Sequence, residues 1–237
     1  MSNVAAGHAR SGPDIADRPA ALDAHSLYRF FRAGDEETLA LQGVSLCLQA
    51  GEFVAVVGPS GSGKSTLLSC LAGIDEPDGG MVRIDGNRLS HQPEPLRARL
   101  RARQIGLLFQ SANLLQHLTV AQNVRLAQSV ANRNHRATID SLLKSLGVQN
   151  RARAYPSQLS GGELARAGLA VALANDPVVL LADEPTGELD LATERGVLEL
   201  LGARARSGVA ILVASHSPAV AAAADRVITL ADGRITE

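Results

Sequence analysis

Short apolar runs alternate with helical patterns along most of the chain, which favours an α/β fold with a mainly parallel sheet. The segment Glu52–Val57 is a nearly continuous apolar run that ends at a glycine, as expected for a strand buried on both faces. Similar runs follow at Ile105–Phe109, Val178–Ala182 and Val209–Ala214. Each of them is predicted to be a strand of the sheet core.

A different pattern surrounds the first of these strands. Val44–Leu48 and Met81–Ile84 alternate apolar and polar residues with period two, and the turn dipeptide Asp85-Gly86 follows. These strands are predicted to form an antiparallel layer that flanks the parallel core.

The region from Pro93 to Ala137 has a helical, polar pattern. Arginine occupies every second position of one short segment, at Arg97, Arg99, Arg101 and Arg103. This segment is either a solvated helix face or a phosphate-binding surface. Thr119-Val120-Ala121-Gln122 matches a capping box, which predicts a helix that begins near residue 120.

The amino-acid composition excludes several classes of protein. The 237 residues, of which 46% are hydrophobic, exclude a small disulfide-stapled scaffold and a fully disordered chain. The net charge of −1 argues against a protein that mainly coats nucleic acid, so no nucleic-acid partner is expected, although local basic patches remain possible.

The sequence predicts neither a membrane-spanning segment nor a signal peptide. No apolar run approaches the roughly 18 to 20 residues that span a bilayer, and residues 1–22 have the composition of a flexible tail without a signal peptide. Cys47 and Cys70 lie in apolar stretches and are predicted to be reduced, buried thiols, with a disulfide as the alternative.

The sharpest motif follows the first buried strand and matches G-x-x-x-x-G-K-[ST]. Its glycines let backbone N–H groups surround phosphate oxygens, its lysine supplies a cation for the β- and γ-phosphates, and its serine offers a hydroxyl to Mg²⁺. A glycine-rich turn without a ligand is the alternative. The residues predicted to bind ATP here are Gly58, Pro59, Ser60, Gly61, Ser62, Gly63, Lys64, Ser65 and Thr66.

Two acids end the strand Val178–Ala182, at the edge where a parallel sheet places its ligand crevice. Asp183 and Glu184 should point to opposite sides and so have different roles. Asp183 is predicted to hold Mg²⁺, and Glu184 to polarise the attacking water. The alternative is a pair of acids that only caps the strand and solvates a turn.

A third motif, Leu159-Ser160-Gly161-Gly162-Glu163, precedes the helical run Leu164–Ala174. Ser160 and Glu163 form a capping box, which predicts a helix start. A structural cap would not need two glycines, each of which costs about 1 kcal/mol in a helix relative to alanine. The bare helix start therefore predicts a second anion site.

Together these motifs resemble the ATP-binding subunits of ABC transporters, particularly the branch with the lipoprotein-releasing and macrolide-exporting ATPases. The resemblance covers residues 23–237 and implies a P-loop NTPase ABC ATPase fold. Its parts would be a mainly parallel core sheet, an antiparallel N-terminal β layer and a helical subdomain at about residues 111–175 that carries the signature motif.

The resemblance also implies a homodimer. In that family the signature segment contacts the γ-phosphate of ATP bound by the P-loop of the other protomer, so Ser160, Gly161 and Gly162 would act in trans. Asp190 would be the D-loop aspartate across the dimer interface.

Three further residues acquire roles from the resemblance. Gln110 would be the Q-loop glutamine that contacts Mg²⁺ and the catalytic water, and His216 the switch histidine at the γ-phosphate. Without the other motifs, an ordinary half-buried histidine would be the better interpretation of His216. Phe31 stands where the family carries the aromatic residue that stacks on adenine, with Tyr28 and Phe30 as rivals.

The sequence departs at three positions from the pattern that the resemblance implies. Glu188 stands where the family usually has asparagine, Ser217 where aspartate is common and Val171 where an arginine is often found. None of these changes removes a catalytic atom, but they bear on the dimer interface and on the subfamily.

The chain is therefore expected to be an ATP- and Mg²⁺-dependent ATPase subunit that energises a separate membrane permease. It would lie on the cytoplasmic face of the membrane, and the segment from Gln110 to Asn123 would face the permease. Export, lipoprotein extraction and transenvelope mechanotransmission are the possible tasks. The alternatives are a non-transport ABC ATPase, although the interval from Lys64 to Ser160 lacks a heptad run and a cysteine cluster, and a nucleotide-dependent regulatory switch.

Overall fold

The computed structural model describes residues 19–33, 36–109, 114–131 and 138–236. The strands are β1 Leu22–Ala33, β2 Glu36–Leu48, β3 Phe53–Val57, β4 Gly79–Ile84, β5 Asn87–Arg88, β6 Ile105–Leu108, β7 Val179–Asp183, β8 Ala210–Ala214, β9 Arg226–Ala231 and β10 Arg234–Thr236. The helices are α1 Lys64–Leu71, α2 Glu94–Gln104, α3 Val120–Ala131, α4 Ile139–Ser145, α5 Gly161–Ala172, α6 Leu191–Arg206 and α7 Pro218–Ala223. Within these ranges no helix has the length and apolar character needed to cross a bilayer.

The predicted core strands form one sheet with the order β10-β9-β3-β8-β7-β6. The pairs within β9-β3-β8-β7-β6 are parallel, and β10 is antiparallel to β9. All residues of the central strand β8 are buried, as expected for a strand covered on both faces. The prediction of a mainly parallel core is confirmed, and the four predicted strands agree with the observed bounds to within one residue.

The antiparallel layer is a second sheet with the order β2-β1-β4-β5. The predicted strands Val44–Leu48 and Met81–Ile84 lie in β2 and β4, and β1 pairs with both of them. The sequence pattern did not predict β1, because a bulge interrupts its alternation. The register shifts between Ala24 and Leu27, and Ser26 between them has a φ of 50°.

Helix α1 lies between the two sheets and brings the glycine-rich loop to the middle of the fold. Leu71 of α1 belongs to the same buried cluster as Leu22 of β1, Ile84 of β4 and Val54 of β3. The preceding residue of β3, Phe53, belongs to the cluster on the other side of the sheet, with α3 to α6. Because strand residues alternate in direction, β3 joins the two cores and supports the loop that follows it.

The arginines at every second position of α2 mainly form contacts within the protein. Arg97 forms an ion pair with Glu76, and Arg101 donates to the carbonyl oxygen of Gly73 at 2.7 Å. Among the four arginines only Arg99 is exposed, and the other three are half-buried. The prediction of a solvated face was therefore wrong for the others, because the neighbouring segments supply carboxylate and carbonyl partners.

Helix α3 begins as predicted. Thr119 Oγ1 accepts from the N–H of Gln122 at 3.3 Å, and Gln122 Oε1 accepts from the N–H of Thr119 at 2.8 Å. Buried Asn123 then holds the preceding segment, because its Oδ1 accepts from the N–H of Leu115 at 2.7 Å.

Both cysteines are free thiols, so the disulfide alternative is not observed. Cys70 is buried, and this burial raises the pKa of its thiol to about 12. Cys47 is only half-buried, and burial also raises its pKa. Neither environment favours a reactive thiolate.

Candidate functional site

The motif Gly58–Thr66 runs from the end of β3 through the glycine-rich loop into the first turn of α1, and close backbone contacts require two of its glycines. Gly63 has a φ of 103°, and a Cβ atom there would lie 2.5 Å from the carbonyl oxygen of Ala40. A Cβ atom at Gly58 would lie 2.0 Å from the carbonyl oxygen of Leu230. Any side chain would collide with backbone at both positions, so the loop can follow this path only with glycine.

The lysine of the loop lies across the loop backbone. Lys64 Nζ donates to the carbonyl oxygens of Gly58 at 2.8 Å and of Pro59 at 2.9 Å. The side chain of Ser62 is buried, and its carbonyl oxygen accepts from the N–H of Gly233 at 3.0 Å. The two bonds of Lys64 keep the ammonium group at the mouth of the loop. The side chain of Ser62 points into the protein interior instead.

A cleft of about 760 Å³ opens in front of this loop. The predicted site residues that line it are Phe31, Gly58, Ser60, Gly61, Gly63, Lys64, Ser65, Thr66, Asp183, Glu184 and His216. Pro59 and Ser62 are not part of the lining, and Gln110 lies outside the described residues. Elements that are far apart in the sequence thus contribute to one cleft.

Glu184 follows β7 directly and is held by residues that follow β8. Its backbone has a φ of 47°, a strained conformation for a residue other than glycine. Oε1 lies 2.7 Å from Nδ1 of His216 and accepts from the N–H of His216 at 3.1 Å, while Oε2 accepts from Ser215 Oγ at 2.8 Å. An ionised carboxylate only accepts hydrogen bonds, so Nδ1 carries the proton. The Glu184 side chain is 14% exposed and that of His216 is 75% exposed.

The two acids face the same cleft, which the sequence did not predict. Asp183 is the last residue of β7 and pairs with Ala214 of β8. Strand alternation should send its neighbour Glu184 to the opposite side. The left-handed backbone at Glu184 breaks that alternation at the end of the strand, so both carboxylates line the cleft.

The signature segment lies elsewhere and starts α5. Ser160 Oγ accepts from the N–H of Glu163 at 3.3 Å, and Glu163 Oε2 accepts from the N–H of Ser160 at 2.9 Å, which confirms the predicted capping box. This second bond and the guanidinium of Arg151 lower the pKa of Glu163 to about 2. A Cβ atom at Gly162 would lie 2.4 Å from Cγ2 of Thr193, so this glycine has a packing reason that sequence analysis missed.

Asp190 caps the next helix within its own chain. Its Oδ1 accepts from the N–H groups of Ala192 and Thr193 at 3.0 and 3.1 Å, and its Oδ2 accepts from Thr193 Oγ1 at 2.6 Å. The Thr193 hydroxyl is the first cause of its lowered pKa. Ser160, Gly161 and Asp190 are exposed, and none of them lines the cleft in front of the P-loop.

Sequence analysis missed three contributors to the site. One is Ser215, whose signal was a small polar residue between an apolar strand and a histidine. Another is the part of β2 that lines the cleft, at Thr38, Leu39, Ala40 and Gln42. The third is the β9–β10 turn at Asp232 and Gly233, which also lines the cleft. Its Asp-Gly dipeptide predicts a hairpin turn, but only the fold shows that Gly233 donates to the P-loop carbonyl of Ser62.

The model of the ABC transporter family matches residues 41–187, a range that contains the P-loop, the signature segment and both carboxylates. The chain belongs to the ABC transporter family. The predicted family, fold and enzyme class are confirmed.

Two relatives are similar to this ABC ATPase over most of its length. It is 42% identical over 227 residues to the macrolide export ATP-binding/permease protein MacB of Rhodospirillum rubrum, which covers 94% of this chain and 35% of that protein. It is 41% identical over 209 residues to an uncharacterised ABC transporter ATP-binding protein of Mycobacterium tuberculosis, over 86% of this chain and 84% of that one. The chain thus spans about a third of the length of the MacB relatives it matches.

Solved structures show the same fold. A bacterial ABC transporter cassette solved as a dimer has a TM-score of 0.84 at 34% identity, over 91% of this chain and 97% of that one. A second dimeric structure of that cassette, in a post-hydrolysis state bound to ADP and Pi, has a TM-score of 0.83 at 33% identity, with the same coverage.

Proposed function

We propose that this ABC ATPase energises a membrane permease in export, lipoprotein extraction or transenvelope mechanotransmission. The cleft in which the P-loop, two carboxylates and His216 converge is the observation that carries the proposal. Similarity to MacB supports this branch, because the name of that protein combines an ATP-binding part with a permease. Residues 23–237 would form the ATP-binding unit, with its helical subdomain at about 111–175, on the cytoplasmic face of the membrane.

The cleft supplies the groups that ATP hydrolysis needs. Water attacks the γ-phosphate in line with the leaving oxygen of ADP, and Glu184 takes the proton of that water. His216 and Ser215 hold the Glu184 carboxylate for this step. Lys64 and Nε2 of His216, which has no hydrogen-bond partner among the described residues, face the charge that develops on the phosphate.

The donor set of the cleft fits Mg²⁺ bound together with ATP. Ser65 offers a hydroxyl and Asp183 a carboxylate to the same cleft. Two oxygen donors of this kind would suit Mg²⁺, which is commonly held by one or two protein oxygens together with the phosphates of a nucleotide. Gln110 is proposed as a further ligand. When bound, the ion would neutralise charge on the β- and γ-phosphates.

The second half of the site is proposed to come from another copy of the chain. Ser160, Gly161, Gly162 and Asp190 lie outside the cleft in their own chain, and the first two expose a helix N-terminus that favours an anion. Two chains arranged head to tail would place this helix start against the partner's P-loop. ATP would hold the dimer closed, because it contacts both halves only in that state.

Phe31 is proposed to stack on the adenine base. Unlike Tyr28 and Phe30, it lines the cleft. The guanidinium of Arg29 lies 4.8 Å from the centroid of the Phe31 ring and also pairs with Asp78 at 3.3 Å. This cation–π contact holds the ring in place at the edge of the cleft.

Phe31→Ala is expected to raise the Kd for ATP about tenfold, since base–aromatic stacking contributes about 1–3 kcal/mol. Titration with a fluorescent ATP analogue measures the effect, and Phe31→Tyr should restore binding. Phe30→Ala is the matched control, because that exposed ring does not line the cleft. A larger loss in Phe30→Ala than in Phe31→Ala would contradict this assignment.

An apolar groove of about 530 Å³ is proposed to receive the permease. It lies between α2, α3 and α5, and its lining includes Ile105, Val130 and Val171. Val130 is 66% exposed, the largest exposure of an apolar side chain on these helices. Phe109 at its edge directly precedes the segment predicted to face the membrane subunit. A short apolar helix of the permease has the chemistry that fits this groove.

Val130→Asp is expected to weaken association with the permease at least about tenfold, because the interface would bury an unpaired carboxylate. Copurification of the membrane subunit in detergent measures the loss, and the Tm checks that the variant folds. Leu96→Asp is the control, since Leu96 is exposed on α2 outside the groove lining. Undiminished copurification of Val130→Asp would exclude this groove as the docking surface.

A further inference from the structure

Glu194 is a buried carboxylate that the proposed reaction does not use. It lies in the first turn of α6, is 7% exposed, and is the only acidic or basic residue among the buried residues of the described chain. Within the described ranges no lysine, arginine or histidine forms an ion pair with it. Because a buried charge is costly without partners, the groups that do bind it are informative.

One oxygen of Glu194 joins two separate loops. Its Oε1 accepts from Thr186 Oγ1 at 3.0 Å and from Ser217 Oγ at 2.7 Å. Thr186 stands two residues after Glu184, and Ser217 directly follows His216. The carboxylate therefore connects the loop that carries the proposed general base to the loop that carries the proposed switch histidine.

Further hydrogen bonds close this connection into a ring. The N–H of Ser217 donates to Ser215 Oγ at 3.1 Å, and Ser215 Oγ donates to Glu184 Oε2 at 2.8 Å. From Glu184 the ring returns along the backbone to Thr186 and so to Glu194. Thr186 and Ser215 are buried like Glu194, and hydrogen bonds are strong in such an environment.

We propose that Glu194 is a positioning residue for ATP hydrolysis. It holds the loops after β7 and β8 together, so that Nδ1 of His216 stays 2.7 Å from Glu184 Oε1. The helix N-terminus around Glu194 favours its negative charge. This inference rests on the proposed roles of Glu184 and His216.

The same contact requires a hydrogen-bond donor at position 217. The hydroxyl of Ser217 is that donor to Glu194. An aspartate at this position would face the buried carboxylate with a second one, and like charges repel strongly at this separation. Glu194 and Ser217 are therefore complementary, which can be tested as a pair.

The test measures kcat and KM for ATP in Glu194→Ser, Ser217→Asp and the double variant. Each single change should lower kcat by about tenfold or more and leave KM within about twofold, because it disturbs positioning and not ATP binding. The double variant should recover kcat to within about threefold of the unmodified chain, because one carboxylate and one hydroxyl again face each other.

Two controls separate positioning from folding. Glu199→Gln removes an exposed carboxylate from the same helix and should leave kcat unchanged. Hydrogen exchange at the amides of His216 and Ser217 should be faster in Glu194→Ser, because their loop is no longer tied. A purely structural role would instead lower the Tm and leave kcat unchanged at temperatures well below it.

Two results would overturn the proposal. One is a kcat of Glu194→Ser within about twofold of the unmodified chain, and the other is a double variant whose loss equals the product of the single losses. Glu184→Gln is measured in parallel. If it hydrolyses ATP at the normal rate, the proposed role of Glu184 as general base fails; if it is inactive while Glu194→Ser is fully active, only the positioning role of Glu194 fails.

Discussion

Glu184→Gln is expected to lower steady-state ATP turnover at least about 100-fold, within the range that general base catalysis contributes. The amide matches the carboxylate in size and can still accept from Ser215 or His216, but it cannot take a proton from water. ATP binding should persist, because Lys64 and the P-loop are unchanged. The variant should therefore accumulate as a dimer with trapped ATP.

Phosphate release measures the turnover of Glu184→Gln, and light scattering with and without Mg-ATP measures its dimerisation. Glu199→Gln is the matched control, since its carboxylate is exposed on α6 away from the cleft. Normal turnover in Glu184→Gln would exclude Glu184 as the general base. A monomer at saturating Mg-ATP would contradict the shared nucleotide site.

Lys64→Ala and Gly161→Asp are each expected to lower turnover at least about 100-fold, the effect of removing one key charge stabiliser. Lys64→Ala removes the cation at the mouth of the P-loop. Gly161→Asp would set a carboxylate against the γ-phosphate of the partner. The fold should tolerate that aspartate, because an acid suits the first turn of a helix and the nearest atom to a Cβ there is Leu189 Cδ2 at 3.3 Å.

Mixing these two variants tests the arrangement in trans. A mixed dimer has one site with both an intact Lys64 and an intact Gly161, and one site that lacks both. With random pairing and independent sites, about a quarter of the sites would be intact, so activity should rise well above that of either variant alone. Activity no higher than the mean of the two variants would show that both groups act within one chain.

The three departures from related sequences differ in how far the structure explains them. Val171 lines the apolar groove, where an arginine would add charge to the proposed docking surface. Ser217 supplies the donor that Glu194 needs. Glu188 is exposed in the loop after β7, and no contact among the residues that the structure describes explains its charge.

Local patterns predicted the parts of the site that depend on near neighbours in the chain. The capping boxes at Thr119 and Ser160 join residues three positions apart, and both were found as predicted. The turn Asp85-Gly86 has φ values of 49° and 75°, as its dipeptide predicts. The P-loop spacing likewise requires a strand before it and a helix after it, and β3 and α1 occupy those places.

Features that depend on a bulge or on a broken alternation escaped prediction. β1 is a long strand, yet its bulge at Ser26 removes the period-two pattern by which a strand is recognised. Asp183 and Glu184 line the same cleft because the backbone of Glu184 is left-handed, and the strand pattern does not predict that conformation.

The sequence motifs therefore predicted the phosphate-binding and helix-capping residues, because both functions depend on which residue types stand a few positions apart. The mutual arrangement of those motifs came from packing. His216 and Glu184 are 32 positions apart and meet because β8 pairs with β7 in parallel, so the two strands end at the same edge. No motif in the sequence singles out Glu194. It accepts hydrogen bonds from Thr186 and Ser217 only because α6 packs against the loops that follow β7 and β8.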